Sequence, residues 1–197
     1  MIEVCEYQES WPERFEALRR LYVKAMGDGS VDVLAIEHVG STSVPGLAAK
    51  PTIDCDIVVE ADRVDAATEV LKSLGFRPLR ELGIPLRWAF KEPPDFPSTN
   101  TYVIVDSSLS LRNHLAVRDA LRNDAGLRER YAAVKKVVAE GAADLDEYGR
   151  GKNAMVQEIL AAAGLTDAER ESLNSNDVPS SSAVPRSTAA GAAAGRR

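Results

Sequence analysis

Apolar positions recur at two different periods along this chain, and each change of period marks a change of element. In RFEALRRLYVKAMG, Phe15, Leu18, Leu21 and Tyr22 fall on one face of a helical repeat, which predicts an amphipathic helix ending at Gly27. Ser10-Trp11-Pro12-Glu13 reads as its start, with Ser10 as cap, Pro12 in the first turn and Glu13 completing a capping box. VDVLAIEHV (31–39), TIDCDIVVE (52–60), FRPLRE (76–81), PLRWAFKE (85–92) and TYVIVD (101–106) predict five strands. Between them, ADRVDAATEVLKSLG (61–75) predicts a helix stopped by Gly75. Leu86, Trp88 and Phe90 alternate and read as core, while Trp11 is expected to pack the first helix on the sheet. From Ser110 to Ala163 the chain reads as helical. Strands first and helices last predict an α+β fold, a mixed sheet with helices on one face and a C-terminal helical segment.

Composition changes this picture at one end. The 197 residues carry an ordinary 45% hydrophobic and 27% charged fraction, enough for one domain with a sizeable core. That domain is assigned to residues 1–165. The remainder, 166–197, is Ser, Ala, Gly and Pro with few large apolar residues, cannot offset its ordering entropy, and is expected to be a disordered tail. A net charge of −6 argues against a dedicated nucleic-acid binder, which shows an excess of Lys and Arg. No apolar run is long enough to span a membrane, and MIEVCEYQESW has neither the basic nor the apolar region of a signal peptide. Cys5 and Cys55 have no metal or redox spacing. A cytoplasmic location is expected.

The candidate chemistry lies in HVGSTSVPGLAAKPTIDCDIVV. Asp54 and Asp56 sit two apart within an apolar strand, so they project from one face while Ile53, Cys55 and Ile57 project from the other. Their Cβ atoms are then about 7 Å apart, from two residues of strand rise. Two carboxylates so placed repel unless a cation lies between them. Mg²⁺ supplies such a cation and favours one or two carboxylates plus phosphates and water. The preceding loop offers tight turns at Gly40 and Gly46, hydroxyls and backbone N–H groups at Ser41, Thr42 and Ser43, and a point charge at Lys50. The plain alternative is a solvated strand, because Asp-x-Asp alone is common.

Gly40-Ser41 followed by Asp54-x-Asp56 resembles the nucleotidyltransferase motif, and the full string His38-x-Gly40-Ser-Thr-Ser-Val-Pro-Gly-Leu47 with Ala49-Lys-Pro-x-Ile-Asp54 resembles the signature of the GrpB-like family. Tyr7-x-x-x-Trp11, the segment carrying Arg118, Asp119, Leu121 and Arg122, then Tyr131 with Lys135 and Tyr148 with Lys152, extend the likeness to about residue 163. The resemblance implies a nucleotidyltransferase-like fold, phosphate held by the Gly-Ser loop, and Mg²⁺ on Asp54 and Asp56. Two departures stand out. Asn100 and Tyr102 replace the histidines of the family's His-Leu-His-Val strand, and no third carboxylate is clearly placed, with Asp106 and then Glu92 as candidates.

The expected function is Mg²⁺-dependent nucleotidyl transfer from a nucleoside triphosphate, ATP first among them, to a small acceptor. Adenylation of a carboxylate for ligation is one form of it. The alternative is a non-catalytic nucleotide- or anion-binding protein that kept the fold. His38 is read either as a phosphate contact or as an orienter of the loop through a backbone carbonyl. Arg118 and Arg122, one helical turn apart, are read either as a phosphate clamp or as partners of Asp119 or Glu129 on a solvated face. His114 reads as surface or capping, and Lys135, Lys136 and Glu140 as a solvated helix face.

Overall fold

The strongest apolar run, TIDCDIVVE, becomes the centre of the sheet. In the computed structural model, which describes residues 2–175, this run forms β2 (Ile53–Val59). It pairs antiparallel with β1 (Ala35–Val39) and parallel with β5 (Thr99–Val105). β3 (Arg77–Arg80) and β4 (Arg87–Lys91) continue the sheet beyond β5, giving the order β1-β2-β5-β4-β3. The strands are shorter than the sequence predicts: the first begins at Ala35 rather than residue 31, and β5 instead extends back to Thr99.

Alternation along β2 divides two cores. Ile53, Cys55, Ile57 and Val59 are fully buried against α1 (Trp11–Asp28) and α2 (Val64–Ser73), where they meet Trp11, Phe15, Tyr22, Ala67 and Leu71. Each apolar side chain buried there contributes roughly 1.5–3 kcal/mol. On the opposite face Val58 packs with Ile104 and with Leu111 of α3 (Leu109–Asn123). Helices therefore cover both faces, not one as predicted. The reason is that the β1–β2 connection carries its own apolar residues. Val44 and Leu47 require partners and find Leu121, Leu127, Tyr131, Met155 and Ile159 on α3, α4 (Ala125–Gly141) and α5 (Leu145–Ala162).

The predicted helical region is three helices because two aspartates cap new starts. Asp124 Oδ1 accepts from Leu127 N at 2.9 Å, and Asp144 Oδ1 from Glu147 N at 2.8 Å. Ser10 makes no such cap: its backbone is itself helical, whereas a cap needs an extended one. Leu86 is not core. It has a positive φ of 62° at the entry to β4 and is 39% exposed, while Trp88 and Phe90 reach the core.

A sixth helix, α6 (Asp167–Ser175), lies inside the segment assigned to the tail; Thr166 Oγ1 accepts from Glu169 N and the Glu169 carboxylate accepts in return from Thr166 N, a reciprocal cap. The tail from 176 onward lies outside the described residues. Among the described residues no helix is long and apolar enough to cross a membrane.

Candidate active site

The polar face of β2 contributes one residue, Asp54, to the wall of a cavity of about 530 Å³. Asp54 opens into it, beside Asn100 of β5, its register partner. Asn100 Nδ2 donates to Asp54 Oδ1 at 2.6 Å. Burial pushes the Asp54 carboxyl above the usual range, opposed by the Asn100 bond and by His114, Lys152 and Lys50 nearby. Asp56 lies deeper and is fully buried. His114 Nδ1 donates to its Oδ2 at 2.7 Å, while Oδ1 is buried without a hydrogen-bond partner.

The loop that follows β1 is fitted to Asp54. Gly40 has φ 66° and ψ −172°, a region essentially restricted to glycine. A Cβ there would lie 2.1 Å from Asp54 Oδ2, so the missing side chain is what lets loop and carboxylate meet. Ser41 to Ser43 then form a single 3₁₀ turn, with Ser43 Oγ donating back to Gly40 O at 2.6 Å. Ser41, Thr42 and Lys50 line the cavity beside Asp54.

His38, Ser43, Arg118 and Arg122 do not line it. His38 is on the core face, stacked on Phe15 with ring centroids 4.5 Å apart. Its Nε2 bonds Thr42 Oγ1 at 3.1 Å, and Thr42 in turn donates to Thr52 O at 3.2 Å. Burial lowers its pKa to about 4, so the ring is neutral and holds the loop through a hydroxyl, not through a backbone carbonyl. Arg122 donates from Nε and Nη2 to Ser43 O at 3.0 and 2.8 Å. Arg118 pairs with Glu37 at 2.6 Å and Asp119 at 2.7 Å, and Glu129 plays no part. The two arginines brace the loop from behind.

Neither candidate third carboxylate joins the pair. Asp106 is exposed at the end of β5, and Glu92 reaches the cavity wall but pairs with Lys91 at 3.0 Å. The β5 positions in register with Asp54 and Asp56 hold Asn100 and Tyr102. Among the described residues no cluster of three or more His, Cys, Asp or Glu could hold a metal. The donor set therefore does not fit a three-carboxylate site. It would suit Mg²⁺ bound by two carboxylates with phosphate and water completing the shell, since Asp54 opens into the cavity and Asp56 Oδ1 has no hydrogen-bond partner.

Several groups in or behind the site come from far along the chain. His114, read as surface or capping, is the Asp56 partner, because α3 crosses the sheet at that point. Lys135, read as solvated, is 1% exposed; its Nζ donates to Ala48 O and sits 4.6 Å from the Tyr131 ring. Burial and the neighbouring Lys152 lower its pKa to about 7. Lys152 lines the cavity over the Tyr148 ring at 5.2 Å, and Tyr131 beside it holds its pKa up. The repeated Tyr-x-x-x-Lys spacing puts each pair on one helix face and was the readable signal for both lysines. Arg87 gave none.

Comparison with known proteins bears on fold and family. The family model described as GrpB protein matches residues 1–162. The protein YqkA of Bacillus subtilis is 30% identical over 158 residues, 79% of this chain, and the chain spans only 45% of that protein's length. The crystal structure of conserved protein GrpB from Enterococcus faecalis superposes with a TM-score of 0.71 at 30% identity, covering 88% of this chain and 98% of that one. The GLD-2/RNP-8 complex matches with a TM-score of 0.55 at 13% identity, covering 79% of this chain and 56% of that one, a likeness of fold alone. The mixed sheet and its helices are nucleotidyltransferase-like. The chain belongs to the GrpB family.

Proposed function

We propose that the cavity binds the triphosphate of a nucleoside triphosphate, ATP first among them, and passes its nucleotidyl group to a small acceptor. The observation that carries this reading is the fit of the Gly40–Ser43 loop to Asp54 at the edge of a cavity lined by Ser41, Thr42, Lys50 and Lys152. Those hydroxyls and ammonium groups suit phosphate oxygens. Lys50 and Lys152 bring charge to a leaving pyrophosphate. Asp54 and Asp56 would hold Mg²⁺, which would supply charge neutralisation at the phosphates.

In the transfer an acceptor oxygen bonds to the α-phosphorus, the bond from that phosphorus to the bridging oxygen breaks, and pyrophosphate leaves. A hydroxyl acceptor must lose a proton, and among the described residues no third carboxylate joins Asp54 and Asp56 to take it. A carboxylate acceptor has no proton to lose. The missing third carboxylate therefore favours a carboxylate acceptor, whose product is an acyl-adenylate.

The test is pyrophosphate release from ATP with Mg²⁺ against a panel of small carboxylates, alcohols and amines. Release that requires a carboxylate supports the reading, and release driven equally by alcohols contradicts the choice of acceptor. A second reading, a nucleotide- or anion-binding protein without turnover, rests on the Asn100–Asp54 and His114–Asp56 bonds, which already satisfy one oxygen of each carboxylate. It predicts nucleotide binding with no pyrophosphate release across the same panel.

A further inference from the structure

Two residues at the cavity each carry a polar atom that the fold buries and leaves without a hydrogen-bond partner. Arg87 Nε, on β4, has no hydrogen-bond acceptor, and Asn113 Oδ1, on α3, has no donor. Both residues line the cavity. The Arg87 guanidinium lies 4.6 Å from the centroid of the Tyr102 ring, and the ring of His114, next to Asn113 in sequence, has its centroid 5.9 Å from that of Tyr102. A buried donor and a buried acceptor left open cost stability, about 1–3 kcal/mol each, unless a ligand or water completes them.

Their position relative to the acidic pair matters. The Gly40–Ser43 loop and Lys50 lie at the Asp54 end of β2. Tyr102 is in register with Asp56, and Arg87 pairs with Ile104, further along β5 in the opposite direction from Asn100. Along the strands, the Gly40–Ser43 loop thus falls beyond Asp54 and Arg87 beyond Asp56. In an in-line displacement the leaving group and the incoming acceptor occupy opposite sides of the reacting phosphorus. On the transfer reading, an acceptor would enter from the Arg87 end.

We propose that Arg87 and Asn113 form a subsite for an α-amino acid acceptor. The planar guanidinium, stacked on Tyr102, offers a fork to the carboxylate, and Asn113 Oδ1 accepts from the α-ammonium group. Leu82 and Ile84, from the turn between β3 and β4, supply an apolar wall for the side chain. This inference rests on the transfer reading for its role in a reaction, but its binding claim stands apart from it.

The test uses the full chain without nucleotide or metal. Isothermal titration with the twenty standard amino acids, their decarboxylated amines and their deaminated acids reads the subsite directly. The expected result is saturable binding of at least one amino acid, with the matching amine at least tenfold weaker. Arg87→Met weakens the amino acid at least tenfold, the effect of a charged hydrogen bond of about 1.5 kcal/mol or more, and Arg87→Lys weakens it less. Asn113→Ala narrows the preference for the amino acid over its deaminated acid. Circular dichroism and melting of each variant check that it is folded. Binding by none of the twenty, equal binding of the amine, or unchanged binding by folded Arg87→Met overturns the proposal. Because nucleotide is absent, failure of nucleotide binding leaves this result standing. Conversely, nucleotide binding without amino-acid binding overturns the subsite alone.

Discussion

At the residue scale, Gly40 shows how little room the site leaves. Its backbone combination is essentially confined to glycine, and an added Cβ would sit inside the Asp54 carboxylate. Gly40→Ala is expected to lower unfolding free energy by about 1–3 kcal/mol from backbone strain alone, measured by urea denaturation. Lys135 makes a second residue-scale prediction. Its pKa falls from 10.5 to about 7 on folding, so between those values the unfolded chain binds the extra proton. This group's contribution to stability therefore rises as pH increases from about 7 to 10.5, and Lys135→Met should flatten that part of the stability profile. His38 has the same sign lower down: with its pKa lowered from 6.5 to about 4, stability is lost as pH falls through that window.

At the element scale, what could be read from the sequence was whatever lay close together in it. The Gly-Ser loop and the Asp54-x-Asp56 strand are nearly contiguous, and strand alternation alone puts both aspartates on one face. The five strands and the opening helix followed from period. Helix placement did not, because covering the second face depends on Val44 and Leu47 finding α3, α4 and α5 far along the chain. For the same reason His114 and Arg87 were invisible as site groups: one is brought in by a helix crossing the sheet, the other by a strand two places from β2. Lys135 was misread because a helix face that looks polar can be buried when its charge meets a loop carbonyl. The break between α3 and α4 makes its own prediction. Asp124→Ala removes the cap on Leu127 N and should cost about 1 kcal/mol in denaturant unfolding, whereas Asp124→Asn should cost far less.

At the scale of the whole molecule, charge is unevenly distributed. The chain carries a net −6, yet the cavity wall carries Lys50, Arg87, Lys91 and Lys152 against Asp54 and Glu92. An acidic surface around a cationic cavity disfavours long polyanions and admits small ones. The proposed nucleotide site requires Asp54 and Asp56 to hold a metal against the triphosphate. Isothermal titration of the full chain with α,β-methylene-ATP, with and without Mg²⁺, tests it most directly when repeated on Asp54→Asn/Asp56→Asn. The account predicts saturable binding that Mg²⁺ strengthens and that the double variant loses by at least tenfold, about 1.4 kcal/mol. Mg²⁺-strengthened binding that survives the double substitution, or no binding by the wild-type chain, would contradict it.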